Sequence, residues 1–473
     1  MHLVSLGCPK NRVDSEVMLG VAQRHGYVHV SAAEEAEVIV VNTCGFIAPA
    51  KRESIDVILE MAAQKETGRC RLLVVAGCLS QRYAAELSAE LPEVDCFVGS
   101  SDVLKLGEVL DGDAGRLAVG KPADWVVSAD SPRVLSSRPG SAYLKIAEGC
   151  DRQCAFCVIP LIRGKQRSRT PDDVVREVER LAAAGVVELN LISQDTSAYG
   201  RDLGDRDGDA SLARLVERVA DVSGLRWVRL LYLYPDRLSE PLVELLAHHP
   251  RVLPYVDMPL QHAAEPMLRR MRRGHGGARL RRLVEQLRAA VDGLTFRTAF
   301  IVGHPGETQA ELDELYDFIA WAEFERVGVF RYSDEEDCAS FRLADKVPAL
   351  VAANRYRRLM ALCRRISRRK NEALLGQSLT VLVEGESDEH ELVQMGRHAG
   401  QAPEIDGQVY LSGTERLAKP PRPGQLLEVE ITQAGDYDLV GEVVALDAEA
   451  APPRGAAPPV VLSVAGNPGW RSS

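Results

Sequence analysis

The residues of this chain best suited to chemistry are cysteines. Cys150, Cys154 and Cys157 stand in the run Cys150-Asp151-Arg152-Gln153-Cys154-Ala155-Phe156-Cys157. Three thiolates so spaced bind three irons of a 4Fe–4S cluster and leave the fourth iron open to a small chelating molecule. Zinc is the competing occupant, but it ordinarily takes four ligands in paired Cys-x-x-Cys spacing, and no histidine or fourth cysteine stands nearby. A second set is dispersed: Cys8, Cys44 and Cys78 each follow a short apolar run by one to three residues. Taken singly, each reads as a small buried hydrophobe. Taken together, in matching positions, they read as a second cluster site, again with one iron unliganded. Cys70, Cys96, Cys338 and Cys363 match no such pattern and read as ordinary.

The elements that must position these thiols follow from the apolar patterning, which predicts an α/β chain. Over residues 1–125 the strands Leu3–Leu6, Val38–Val41 and Leu72–Val75 alternate with helical stretches, the βαβ pattern of a doubly wound parallel sheet. Ends of successive parallel strands lie side by side at one edge, where such folds bind ligands, so Cys8, Cys44 and Cys78 are expected to converge. A linker rich in Ser, Pro and Asp reaches to residue 141. Residues 142–370 carry six strand candidates, Tyr143–Ala147, Val187–Ile192, Trp227–Leu233, Val252–Met258, Phe296–Val302 and Val327–Arg331. Thr170 reads as a helix cap, Pro171 as the first helical residue and Gly185 as the helix stop. Six βα units predict a partial (β/α)6 TIM-like barrel, with chemistry at the C-terminal strand ends. Residues 371–447 switch to short strands with Gly-containing turns, Ser378–Val383, Gln408–Leu411, Leu426–Ile431 and Leu439–Val444, the pattern of a small OB-like β-barrel. The Ala/Pro/Gly-rich stretch 448–473 is expected to be disordered.

Several polar groups fall at predicted strand ends. Ser193-Gln194-Asp195-Thr196 ends the second barrel strand, Gln261-His262 follow the fourth, and Gly303-His304-Pro305-Gly306-Glu307 end the fifth in a turn. Each serves equally well as turn chemistry or as ligand contact. Arg163, Lys165, Arg167 and Arg169 are either solvated charge or an anchor for carboxylate or phosphate. The basic run Arg355 to Lys370 is either a solvated helix face or a surface that meets an acidic domain or RNA.

The chain has 473 residues, 46% apolar and 26% charged, with a net charge of −11. That is enough for two or three domains, and it argues against a uniformly basic nucleic-acid binder. No apolar run approaches the roughly 20 residues that span a bilayer, and the N-terminus lacks signal-peptide character. A cytoplasmic location is expected, where clustered cysteines more often hold metal than form disulfides.

The Cys-x-x-x-Cys-x-Phe-Cys run resembles the radical-SAM superfamily. With the three dispersed cysteines before it and the β-domain after it, the chain to about residue 447 resembles the methylthiotransferases, whose third domain is the TRAM domain. Ser5-Leu6-Gly7-Cys8-Pro9-Lys10-Asn11 with Val13-Asp14-Ser15-Glu16, Ser193-Gln194-Asp195-Thr196 with Tyr199-Gly200, and Asp257-Met258-Pro259-Leu260-Gln261-His262 are similar to the branch that modifies a ribosomal protein. The tRNA-modifying branch typically has Gln-Met-Asn after the first cysteine. The resemblance implies methylthiolation of the β-carbon of an aspartate in small-subunit ribosomal protein S-twelve. It assigns Cys150, Cys154 and Cys157 to the cluster that binds and cleaves S-adenosylmethionine (SAM), and Cys8, Cys44 and Cys78 to an auxiliary cluster that carries sulfur. It further implies a sulfur donor and an electron donor such as flavodoxin or ferredoxin. Gln194, Gly303 and Glu307 are the candidate SAM contacts, and no catalytic side chain is assigned beyond the cluster cysteines.

Between Asn371 and Asp447 fifteen acids stand against four bases. RNA affinity comes largely from cations against phosphates, so this excess favours a basic protein substrate over RNA. A tRNA methylthiotransferase and a non-catalytic iron–sulfur electron carrier are the alternatives.

Overall fold

The computed structural model describes residues 1–122, 126–204, 211–387, 393–417, 419–446, 460 and 462. Its first sheet contains β1 (His2–Ser5), β2 (Val38–Thr43), β3 (Leu72–Gly77), β4 (Cys96–Gly99) and β5 (Leu117–Ala118), in that order and all parallel. The strands are almost wholly buried, as a parallel sheet covered on both faces requires. Helix Pro9–Arg24 packs on one face with Leu106 and Val109. Helices Ala48–Ala62 and Cys78–Glu90 cover the other. After its first helix the chain returns beside β1: the Met1 ammonium donates to Val28 O at 2.8 Å and Val30 N–H to Met1 O at 2.9 Å, the bonding of a parallel pair. The chain therefore leaves β1 on one side and reaches β2 on the other. That reversal is the ligand-binding switch point of a doubly wound sheet, and Cys8 and Cys44 follow its two flanking strands.

The second sheet is β6 (Ser141–Lys145), β9 (Glu188–Ile192), β10 (Trp227–Leu230), β11 (Val252–Asp257), β12 (Thr295–Val302) and β13 (Arg326–Arg331), parallel and in sequence order. Between β6 and β9 a small antiparallel pair, β7 (Ala147–Glu148) with β8 (Arg167–Ser168), brackets the cysteine loop. This is the expected open six-stranded barrel. The Thr170 hydroxyl caps helix Pro171–Ala183 by accepting from Asp173 N–H. Ala142, Leu144, Leu189, Leu191, Val228 and Leu230 face the outer helices, which puts Tyr143, Lys145, Asn190, Ile192, Arg229 and Leu231 on the inner face.

The third domain is a closed barrel of β14 (Ser378–Glu386), β15 (Gln394–His398), β16 (Val409–Ser412), β17 (Leu426–Ala434) and β18 (Leu439–Leu446), in the order β14-β15-β16-β18-β17. β16 and β18 are parallel and the other pairs antiparallel, the OB pattern. This domain is not loosely tethered. Arg397 in β15 grips Glu188 at 2.6 Å and 3.2 Å, and Arg229 donates to Glu188 and to Ala399 O. Tyr143 donates to Pro403 O, and Tyr255 to Asp406. Residues 397–406 thus fill the inner face of the second sheet near its strand starts.

This docking uses part of the third domain's acidic excess. Glu404 answers Arg12 and Asp406 answers Arg297 across the domains, while Glu384 answers Arg397 within the third domain. The basic helix Ala349–Glu372 also spends its charge internally: Arg355 on Glu307, Arg358 on Asp313, Arg369 on Glu323, Lys370 on Glu325, and Arg364 and Arg368 on Asp436 of the third domain. Most of the stretch 448–473, expected to be disordered, lies outside the described residues. Two of its residues are placed: Val460 N–H donates to Leu135 O, and Leu462 is buried against the first domain. No helix among the described residues is long and apolar enough to cross a membrane.

Candidate active site

Cys8 caps the N-terminus of helix Pro9–Arg24, Cys44 follows β2 directly, and Cys78 opens helix Cys78–Glu90. Two glycines make this approach possible. Gly7 has φ +93°, and a Cβ there would meet Cys44 at 3.0 Å; Gly77 has φ +96°, and a Cβ would lie 2.3 Å from Asn42 Oδ1. Burial, then the neighbouring Cys78 and Cys8, push the Cys44 thiol up to about 12. Burial raises Cys78 as well, against the pull of Arg163. Buried thiols such as Cys44 and Cys78, raised in this way, become thiolates together only around shared positive charge, which fits an iron cluster as the resident group.

The other triad behaves alike. Burial raises Cys150 to about 11, and it raises Cys157 further with help from Cys154 and Cys150. Cys154 accepts from Arg273 at 3.4 Å, and Cys150 from Arg152 N–H at 3.4 Å. Among the described residues no three His, Cys, Asp or Glu side chains are set to share one metal ion.

Beside Cys154, Tyr234 lies between two guanidinium groups, Arg152 at 3.5 Å and Arg273 at 4.0 Å from its ring centre. Arg152 is held by Asp195 at 2.8 Å and by both oxygens of Asp236. Among the described residues, Asp195 Oδ1, Gln194 Oε1 and both ring nitrogens of His275 are buried without a partner. Burial, reinforced by Arg273, drives His275 down to about 3. Unpaired buried acceptors next to an open-iron loop fit a polar ligand with amino and hydroxyl groups, as SAM has.

One buried charge group runs from the Cys78 thiol to Glu148, two residues before Cys150. Arg163 donates to Asn11 at 2.6 Å, Asp14 at 2.7 Å, Cys78 at 3.2 Å and Glu148 at 3.3 Å. Lys145 donates to Asp14 and Glu148, and Gln194 to Glu148 at 2.5 Å. Burial opposes ionisation of Glu148, yet Lys145 and Arg163 hold its carboxyl down to about 2. Lys51 and Arg82 of the first domain clamp the loop after β13 through Glu335.

Of the candidate SAM contacts, Gln194 stands on this group with its oxygen free. Glu307 does not present itself: its carboxylate accepts from Gly303 N–H at 2.7 Å, from Arg355 and from His262 at 3.3 Å, and is fully buried. Gly303 and Glu307 hold each other in the turn. Gln261, at φ +72°, bridges to the β12 backbone. Arg169 is buried on Glu177 and Asp173, and Arg167 donates to backbone oxygens. Cys338, read as ordinary, packs beside Cys78 with Val158 and Ile162. Sequence reasoning missed Arg152, Tyr234, Arg273, Asn11 and Lys10. Arg152 lies inside the cysteine motif, and Lys10-Asn11 inside the run after Cys8; position within a motif was the available signal.

Residues 1–99 match the Uncharacterized protein family UPF0004, residues 144–319 the Radical SAM superfamily, and residues 375–444 the TRAM domain. The chain is 69% identical over 447 residues to the ribosomal protein uS12 methylthiotransferase RimO of Sorangium cellulosum, covering 94% of this chain and 91% of that one. It is 49% identical over 444 residues to the protein of the same name from Myxococcus xanthus, with the same coverage. Two thiol triads on a parallel sheet and an open barrel, closed by an OB domain and matched over nearly their whole length by these relatives, establish that this chain belongs to the uS12 methylthiotransferase family.

Proposed function

We propose that this chain attaches a methylthio group to the β-carbon of an aspartate in ribosomal protein uS12, using two 4Fe–4S clusters and SAM. Cys150, Cys154 and Cys157 hold the SAM-binding cluster, and Cys8, Cys44 and Cys78 the auxiliary one. When bound, these groups supply the electron that splits SAM into methionine and a 5′-deoxyadenosyl radical, and the sulfur that the substrate receives. The chain's own task is placement. Arg152, locked by Asp195 and Asp236, fixes the rim beside Cys150. Gln194 and Asp195 keep buried acceptors that would receive the donors of SAM, while Glu307 and Gly303 hold each other in the turn after β12. Arg163 and Lys145 fix the first domain against the barrel, so the two triads keep one separation, and burial of the whole group keeps water from the reacting carbon. Residues 1–125, 142–370 and 371–447 act as the auxiliary-cluster, SAM and substrate-presenting domains. We place the reaction in the cytoplasm, with a flavodoxin- or ferredoxin-like reductant and a separate sulfur donor.

The observation that carries this reading is the buried group of Arg163, Glu148 and Gln194, which ties the Cys78 thiol of the first triad to the segment that leads into Cys150. An electron carrier has no use for two triads that each leave one iron without a protein ligand. The relatives' names favour neither that reading nor the tRNA-modifying one. The test is anaerobic reconstitution followed by two assays, 5′-deoxyadenosine release and the mass of uS12. Cys154→Ala is expected to lose both signals. Cys44→Ala is expected to keep deoxyadenosine release and lose methylthiolation; sulfur insertion by Cys44→Ala would sink the auxiliary assignment.

A further inference from the structure

Lys10 is buried, with 7% of its surface exposed. A buried ammonium is costly unless a negative group answers it, and elsewhere the fold obeys this: Lys145 has both Asp14 and Glu148. Lys10 has neither. Among the described residues no carboxylate lies within ion-pair distance of its Nζ, which instead sits 3.0 Å from the centre of the Tyr232 ring. An aromatic face holds a cation in place without cancelling its charge. The Cys8 thiol and, at longer range, Asp257 and Glu148 act on Lys10, and both acids are committed elsewhere. Asp257 is taken by Arg297 at 2.6 Å and by Tyr232 N–H at 3.0 Å, and Glu148 by Lys145, Arg163 and Gln194.

The placement is specific. Tyr232 lies just past the C-terminal end of β10, where barrel chemistry is expected, and holds a left-handed backbone, φ +62°. That conformation is strained for a tyrosine, and the Asp257 bond to its N–H keeps the ring beneath the ammonium. Lys10 stands two residues after Cys8, on the first turn of the helix that Cys8 caps. One cation with no carboxylate at ion-pair distance therefore sits between the auxiliary triad and the barrel mouth.

We propose that Lys10 is the receptor for the side-chain carboxylate of the target aspartate. The inference rests on the uS12 reading above. In aspartate the carboxyl carbon is bonded directly to the β-carbon, so an ammonium that grips the carboxylate beside Cys8 also fixes the carbon that must accept sulfur. Asparagine has the same shape without the charge, and glutamate would hold its β-carbon one bond further away.

The test uses the anaerobically reconstituted full chain, without reductant so that nothing turns over. Binding is measured to purified uS12 and to uS12 whose target aspartate is replaced by asparagine. The wild-type chain is expected to bind the aspartate form roughly tenfold or more tightly than the asparagine form, the scale of a lost buried charge contact. Lys10→Met and Lys10→Gln are expected to bind the two forms alike while retaining the iron of both clusters. Equal binding of both forms by the wild type overturns the proposal, as does a preference retained by either variant. Loss of iron in both variants also overturns it, since Lys10 would then serve the cluster. No binding of either uS12 form by the wild type removes the substrate reading itself, a result distinct from the others.

Discussion

Replacing Arg163 by methionine tests whether a buried charge group docks the first domain onto the barrel. The group holds two carboxylates, Asp14 and Glu148, and two cations, Lys145 and Arg163, with no side chain more than 2% exposed. It is balanced as it stands. Arg163→Met fills much of the same volume, removes the hydrogen bonds to Asn11, Asp14 and Cys78, and leaves one negative charge unanswered. Breaking a buried pair in this way costs about 3–5 kcal/mol. The assay is native-state hydrogen exchange on the reconstituted chain. Opening free energies for amides of helix Pro9–Arg24 are expected to fall by about 3 kcal/mol or more, while those of the remote helix Gln309–Ala322 change by less than about 0.5 kcal/mol. Adding Asp14→Asn restores the balance at one carboxylate and one cation, so the double variant is expected to lose less than the two single variants together. Unchanged exchange in Arg163→Met, or strict additivity in the double variant, would refute the reasoning.

Glu188 gives a pH test of the other internal contact. Burial opposes its ionisation, but Arg397 and Arg229 hold the carboxyl down to about 2, against an ordinary 4.5. Because the folded pKa is depressed, the stabilisation is complete above about pH 4.5 and is lost as pH falls through about 2. Urea midpoints of the wild type are therefore expected to drop over that window and those of Glu188→Gln to change less, with a gap at neutral pH of about 3 kcal/mol; parallel curves would count against the pairing. Gly77→Ala places a methyl group on Asn42 and Thr43 at a backbone angle foreign to alanine. Iron is expected to fall from about eight to about four per chain, with deoxyadenosine release retained; full iron would show that Cys78 tolerates the shift.

Much of the site was legible because its residues obey local rules. The six barrel strands and β1 to β3 announce themselves as apolar runs, and the cysteines follow strands whose ends must be neighbours in a parallel sheet. β15 escaped because Gln394-Met395-Gly396-Arg397-His398 has no β-branched residue and its arginine is buried on a partner more than two hundred positions away. β4, Cys96-Phe97-Val98-Gly99, escaped because Asp95 before it and Gly99 at its end leave only three apolar residues in a row. The acidic count of the third domain pointed to a protein substrate, but a tally of charge does not record that Glu384, Glu404 and Asp406 have partners within the chain. From sequence Arg163 read as either solvated charge or an anchor for carboxylate, and Lys10 as a motif letter. Only tertiary structure shows one with four acceptors and the other with an aromatic ring alone.

The way residues 397–406 seat themselves inside the barrel bears on how this chain can be cut or recombined. Deleting the OB module would do more than remove the proposed substrate-presenting domain: it would take Arg397 from Glu188, Ala399 O from Arg229 and Asp406 from Tyr255, and flood the sheet's inner face. A truncation that kills turnover is therefore uninformative about recruitment. Grafting the module from a tRNA-modifying cousin would succeed only if Arg397, Gln401 and Asp406 travelled with it, as a key cut for this particular lock.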